Sequence, residues 1–152
     1  MSDKARGGLF NALGDLSDLS VLDAFAGSGA LSFEAISRGA SSAVAVDIDK
    51  SAYQAMQESI SALGLEDKIK AIRANVSGWS DNNSDALFDI VIAAPPYDDL
   101  QEKIVTKMIS HIKPGGLFIL DWPTKEPAPA FADMKVVASH NYGDAQIIFF
   151  RA

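Results

Sequence analysis

The stretch "DAFAGSGALSFEA", residues 23–35, holds the residues best suited to chemistry. Gly27 and Gly29 follow a short apolar run and open a helical pattern. Glycines in that place let the backbone approach a ligand closely and free the first N–H groups of the helix. A dinucleotide fingerprint asks for a third glycine three residues after Gly29, where Ser32 stands instead. Asp23, four residues before Gly27, would repel a pyrophosphate and attract an ammonium group. That favours S-adenosyl-L-methionine (SAM), which has no phosphate and carries an α-amino group and a sulfonium, over a nicotinamide dinucleotide. A tight turn without a ligand is the plain alternative.

Two more polar residues fall at useful distances. Asp47 closes the next apolar run, 20 positions after Gly27. An acid there can accept hydrogen bonds from both ribose hydroxyls of a nucleoside. Asp49 is better read as the N-cap of the helix that follows. Asn75 follows a third β-type run, where its amide can reach an adenine edge or simply make a turn. Phe25, Ile48 and Val76 adjoin these residues and are counted with them as cofactor-binding. A further run, "DIVIAAPPYDDL" (89–100), stops at Ala94-Pro95-Pro96-Tyr97. Two prolines end a strand in any protein, so a strand terminator is the bland reading.

The elements that position these residues alternate. β-type runs at 20–25, 42–48, 68–74, 86–94 and 116–122 are separated by helical patterns at 30–39, 50–64 and 101–112, with "KPGG" as a turn before the last run. Such alternation implies a parallel sheet with helices on both faces. The tail, 135–151, is two β runs around "NYGDA" with no helix between, and predicts an antiparallel hairpin at one edge. The segment 123–133 holds three prolines and reads as a loop or a short helix.

The chain has 152 residues, a length that suits one domain over 1–152 with a full core. It is 48% apolar and 22% charged, with net charge -7, which argues against a broadly basic nucleic-acid binder. Local basic groups remain, at Lys4, Arg6 and Arg38 by an N-terminal helix and at Lys68, Lys70 and Arg73 along the third strand. There are no cysteines, so neither a disulfide scaffold nor a thiolate metal site is expected, and no metal is assigned. No export signal or membrane span is read, which predicts a cytoplasmic protein. His111 and His140 have no paired acids nearby in sequence and are assigned to packing or surface. Trp79 and Trp122 read as partial core, with Trp122 close enough to the strand end to border a substrate pocket.

In order and spacing, "SDKARGGLFNAL", "LDAFAGSGALSFEAISRGA", "VAVDIDKSA", "APPYDD" and "NYGDAQIIFF" resemble the bacterial RsmD-like methyltransferases along essentially the whole chain. The resemblance implies a Rossmann-like class I methyltransferase fold, a seven-stranded mixed sheet of order 3-2-1-4-5-7-6 with the last strand antiparallel. It implies SAM-dependent methylation of the exocyclic N2 of a guanine in 16S ribosomal RNA, with ribosomal RNA or the small subunit as partner; the protein is expected to be a monomer. It places Asp23, Gly27 and Gly29 at the methionine end of the cofactor, Asp47 at the ribose, Asn75 at the adenine, and Pro95, Pro96 and Tyr97 against the target base.

Two departures stand out. The family has Asp or Asn before the two prolines, where this chain has Ala94. It also begins with a basic N-terminal arm, which is absent before "SDK" here and predicts weak, salt-sensitive RNA binding. The amine's lone pair is delocalised into the base, and a side-chain oxygen plus a backbone carbonyl can accept its hydrogens and aim it. Tyr97 can stack on a base drawn out of its pairing. Ala94 offers no acceptor, and loss of one such group should cost about 2.7–4 kcal/mol of barrier. Asp98 and Asp99 could replace it, but are better read as acids that start the helix at 101. A SAM-binding module without catalysis, or an amino methyltransferase for DNA adenine or protein glutamine, are the competing functions.

Overall fold

The computed structural model describes all 152 residues. A helix α1 (Asp3–Leu13) opens the chain, capped by the Ser2 hydroxyl, which accepts from the Ala5 amide. Then come β1 (Ser20–Ala24), α2 (Ala30–Ser37), β2 (Ser42–Asp47), α3 (Lys50–Leu63), β3 (Ile69–Arg73), α4 (Val76–Asn82), β4 (Phe88–Ala93) and α5 (Glu102–Met108). The chain ends in β5 (Ile112–Pro123), β6 (Lys135–Tyr142) and β7 (Ala145–Arg151). The sheet order is β3-β2-β1-β4-β5-β7-β6, as the resemblance implied. β1 to β5 run parallel, and β7 is antiparallel to both of its neighbours, β5 and β6. The tail is the expected hairpin, with its second strand lying inside the sheet.

Alternation along the strands splits the core in two. Val21, Ile90, Ile92, Ile119, Ile147 and Phe149 face one side, packed with Leu9 and Phe10 of α1, Leu31 of α2 and Ile60 of α3. Leu22, Val91, Phe118, Leu120, Ile148 and Phe150 face the other, packed with Trp79 of α4 and Val105 and Met108 of α5. Strands β1, β4, β5 and β7 therefore read as continuous apolar runs because both of their faces are covered.

Several local expectations change. "KPGG" is no separate turn: β5 begins at Ile112, and its pairing with β4 shifts register between Phe88 and Ile90. Gly116 needs its missing side chain there, because a Cβ would lie 2.8 Å from the Asp89 carbonyl oxygen. The segment after Pro123 is loop, without a helix. Asp98 and Asp99 do not start α5; both are exposed in a turn, and the position before the helix is Gln101 in the left-handed region. His111 is fully buried: its Nδ1 donates to the Ala86 carbonyl, which can only accept, and its Nε2 then accepts from Ser80. His140 is exposed on β6, so both histidines keep the roles expected of them. No helix is long and apolar enough to cross a membrane.

Candidate functional site

All the chemistry-bearing loops gather at the C-terminal ends of the parallel strands, where the chain order reverses on either side of β1. Open α/β sheets bind ligands there. Asp23 is the penultimate residue of β1 and is fully buried. Its Oδ2 accepts from the Ser32 hydroxyl at 2.7 Å, and its Oδ1 has no partner. Burial is the main reason its carboxyl is pushed up to about 7; the Ser32 bonds oppose the rise and the Asp47 charge adds to it. Ser32, singled out in the sequence only as a missing glycine, is thus the one side chain that holds the buried acid.

The glycine loop follows. Gly29 sits at φ 87°, and a Cβ on it would lie 2.8 Å from Met56 Cγ. Gly27, at φ 59°, donates its N–H to Asp47 Oδ2 at 2.8 Å, while Asp47 Oδ1 accepts from the Asp49 amide. Each of these oxygens keeps a further lone pair for a ligand hydroxyl. Asp49 caps α3 by accepting from the Ala52 amide, as expected. Asn75 is more than a turn residue: its Oδ1 caps α4 by accepting from the Gly78 amide, which leaves its Nδ2 to point a donor elsewhere. α4 itself was not legible, because "NVSGWSDN" carries a glycine and no helical stripe.

Phe25, Asp47, Ile48, Asn75, Val76, Ala94, Pro96 and Gln101 line one cleft of about 230 Å³. Two of them, Phe25 at φ 61° and Gln101 at φ 49°, are non-glycine residues in the left-handed region. Such backbone costs on the order of 1–3 kcal/mol per residue and clusters at functional sites. Gln101 gave no signal in the sequence. Gly27, Gly29 and Asp23 do not line the cleft; the glycines shape the loop, and Asp23 lies beneath it.

A second cleft, of about 450 Å³, adjoins the first. Its walls include Ala94, Pro95, Pro96, Tyr97, Asp121, Tyr142 and Asp144. The two clefts share Ala94 and Pro96 and no other residue. Tyr97 is 39% exposed, and its hydroxyl donates to Asp121 Oδ1. Burial raises the Tyr97 hydroxyl's pKa well above the ordinary tyrosine value, and the Asp121 bond pushes it the same way. Burial also raises the Asp121 carboxyl, against the opposing pull of the Tyr97 hydrogen bond. Asp121 was missed in the sequence, where its neighbour Trp122 drew the attention. Trp122 is buried, its Nε1 donates to the Pro127 carbonyl, and it lines neither cleft.

A family model described as "Conserved hypothetical protein 95" matches residues 1–151. The chain belongs to this family of RsmD-like class I methyltransferases. S-adenosyl-L-methionine is the cofactor that membership assigns to it. Ribosomal RNA small subunit methyltransferase D of Buchnera aphidicola subsp. Acyrthosiphon pisum is 36% identical over 92 residues, 60% of this chain and 46% of that protein. An uncharacterized methylase of Rickettsia prowazekii is 23% identical over 177 residues, covering 86% of this chain and 75% of its own length. The match to the Buchnera relative thus spans about half of that protein's length. The solved structure of Escherichia coli yhhF superposes with a TM-score of 0.90 at 23% identity, over 99% of this chain and 86% of that one. A conserved hypothetical protein from Streptococcus pyogenes gives 0.83 at 25%, over 96% and 94%.

The residues present fit this cofactor. The unpaired Oδ1 of Asp23 calls for a donor, which an ammonium group or a bridging water supplies. Asp47 has spare acceptor capacity suited to hydroxyls, and Ile48 and Val76 give the first cleft apolar walls.

Arg6 pairs with Asp3 on α1, and Arg38, the residue after α2, pairs with Glu34 and also donates to the Asn11 side chain of α1, so both arginines lie along the α1–α2 pair and are already partnered. Lys70 and Arg73 are three apart in β3 and leave it on opposite faces, with Lys68 in the turn before.

Proposed function

We propose that the chain transfers the SAM methyl group to the exocyclic N2 of a guanine in small-subunit ribosomal RNA. The observation that carries this is the pair of clefts that meet only at Ala94 and Pro96. One has the polar groups a nucleoside cofactor needs. The other has an exposed aromatic and acceptors suited to a base amine. When bound, SAM supplies an electrophilic methyl on a sulfonium.

The chain's own residues bind and orient. Asp23 would hold the amino group, Asp47 the ribose hydroxyls, and the Asn75 amide the adenine edge. Phe25, Ile48 and Val76 would flank the cofactor, while Gly27 and Gly29 let the loop close on it. Pro95 and Pro96 fix φ and bring no N–H groups of their own to the junction, and the Pro96 carbonyl accepts from the Asp99 amide at 3.1 Å, which closes the turn that carries Tyr97. Tyr97 would stack on the extruded base. Positioning of this kind can supply about 7–11 kcal/mol of the barrier, and no covalent nucleophile is required.

The test is incorporation of labelled methyl from SAM into small-subunit RNA or particles lacking the modification, followed by mass mapping of the modified base. N2-methylguanine is the expected product. Transfer to DNA adenine or to protein, or SAM binding with no transfer to any of these, would sink the reading. With net charge -7 and Arg6 and Arg38 ion-paired, RNA affinity is expected to be weak and to fall as salt rises. A filter-binding titration from low to physiological salt checks this.

A further inference from the structure

We infer that Asp121 supplies the carboxylate that Ala94 lacks, and that it selects guanine by accepting both the N1–H and an N2–H of the target base. This rests on the methyl-transfer reading above. Ala93 pairs with Leu120 across β4 and β5, so Ala94 and Asp121, each one residue further on, stand level on neighbouring strands. Both line the second cleft. Tyr97 is the one protein side chain hydrogen-bonded to Asp121; it takes Oδ1 and leaves Oδ2 open. The bond also orients the carboxylate, as a positioning contact should.

A carboxylate is an acceptor only. Guanine presents two adjacent donors, N1–H and the N2 amine, and matches it. Adenine presents an acceptor at N1 beside its amine and sets a lone pair against a carboxylate oxygen. The match therefore explains how a site without Asp or Asn at position 94 holds the amine, and why it would take guanine rather than adenine. The other titratable or charged groups around Asp121 are Tyr97, Tyr142, Asp144 and the Met1 amino group. Asp144 adds negative charge to the cleft, which favours a donor-rich base edge over a phosphate.

Asp121→Asn tests this through base preference as well as rate. By saturation-transfer NMR with S-adenosylhomocysteine present, the native protein should bind guanosine better than 2-aminopurine riboside, which keeps the N2 amine but has an acceptor at N1. The asparagine can accept from N2 and donate to that acceptor, so the variant should reverse the order. Its methylation of small-subunit particles should fall about 100-fold, the scale for loss of one preorganised polar group, with SAM affinity unchanged as the control for folding. Tyr97→Phe should keep the guanosine preference and move the acidic limb of the kcat profile to higher pH, because the hydrogen bond that holds the Asp121 carboxyl down is gone. Ala94→Asp should change the native rate less than about tenfold, since the acceptor is already present. An unchanged base preference in Asp121→Asn, no guanosine binding by the native protein, an unmoved acidic limb in Tyr97→Phe, or a gain of about 100-fold from Ala94→Asp would each overturn the assignment. In those cases methylation by the native protein would leave the proposed function standing; its absence would remove that first.

Discussion

Replacing Asp23 with asparagine is expected to stabilise the protein at pH 8 and to weaken SAM binding about 10- to 150-fold. The two effects share one cause. Asp23 is fully buried, its Oδ1 has no partner, and its carboxyl is raised from 3.8 to about 7. A carboxyl raised in the folded state favours the protonated fold. Its contribution is fully favourable below the unfolded value, 3.8, and is lost as pH rises toward 7. Above that the fold carries an ionised carboxylate that burial penalises. Asparagine removes the charge at similar size, so its advantage should grow between about pH 4 and 7 and then level off.

The proposed ligand reverses the balance, because an ammonium donor favours the ionised form. SAM affinity should therefore rise with pH up to about 7 and flatten above it. At pH 6 binding should release a proton, which calorimetry in buffers of different ionisation enthalpy can count. Melting curves at pH 5 and pH 8 check the stability half. Asn and Asp proteins of equal stability at pH 8 would show that burial does not penalise the Asp23 charge, and SAM affinity untouched by the change would remove Asp23 from the cofactor site.

Gly29→Ala is expected to destabilise the fold by about 2–5 kcal/mol and to cost SAM affinity, whereas Gly27→Ala costs about 1–2 kcal/mol. Both residues have positive φ, so both substitutions meet the left-handed penalty. The difference is space. A Cβ on Gly27 has no atom within 4 Å, while one on Gly29 would lie 2.8 Å from Met56 Cγ and 3.2 Å from Phe33. Met56 is fully buried under the loop and has little room to retreat. Moving it shifts the first turn of α2, and with it Ser32, which holds Asp23. Denaturant midpoints of the two variants check the ranking; equal losses would show that strain alone, not crowding, fixes the second glycine.

The sheet was legible because its signals are local. Apolar runs broken by glycine and proline gave the parallel strands, and the absence of a helix between the last two gave the hairpin. α4 was not, because "NVSGWSDN" forms a helix through the Asn75 cap and the burial of Val76 and Trp79, which are tertiary facts. In the site, Asp23, Asp47, Asn75 and the Pro-Pro-Tyr step stand at element ends with recognisable neighbours. Ser32, Gln101 and Asp121 do not. Ser32 holds a buried acid through its hydroxyl, Gln101 stands out by its backbone angle, and the role proposed for Asp121 follows from the level at which β5 passes β4. Each of these depends on pairing between strands or on an angle that no spacing of residue types encodes.

The placement of β7 has a consequence for how the protein comes into being. The last strand of the chain lies between β5 and β6, and its side chains enter both cores, Ile147 and Phe149 on one side, Ile148 and Phe150 on the other. β6 has no partner except β7. During synthesis the first five strands can align early, but β5 keeps an open apolar edge and β6 has nothing to join. Neither core is sealed until β7 has docked between them. Folding therefore waits on β7, and until it arrives the open edge of β5 is exposed to other chains.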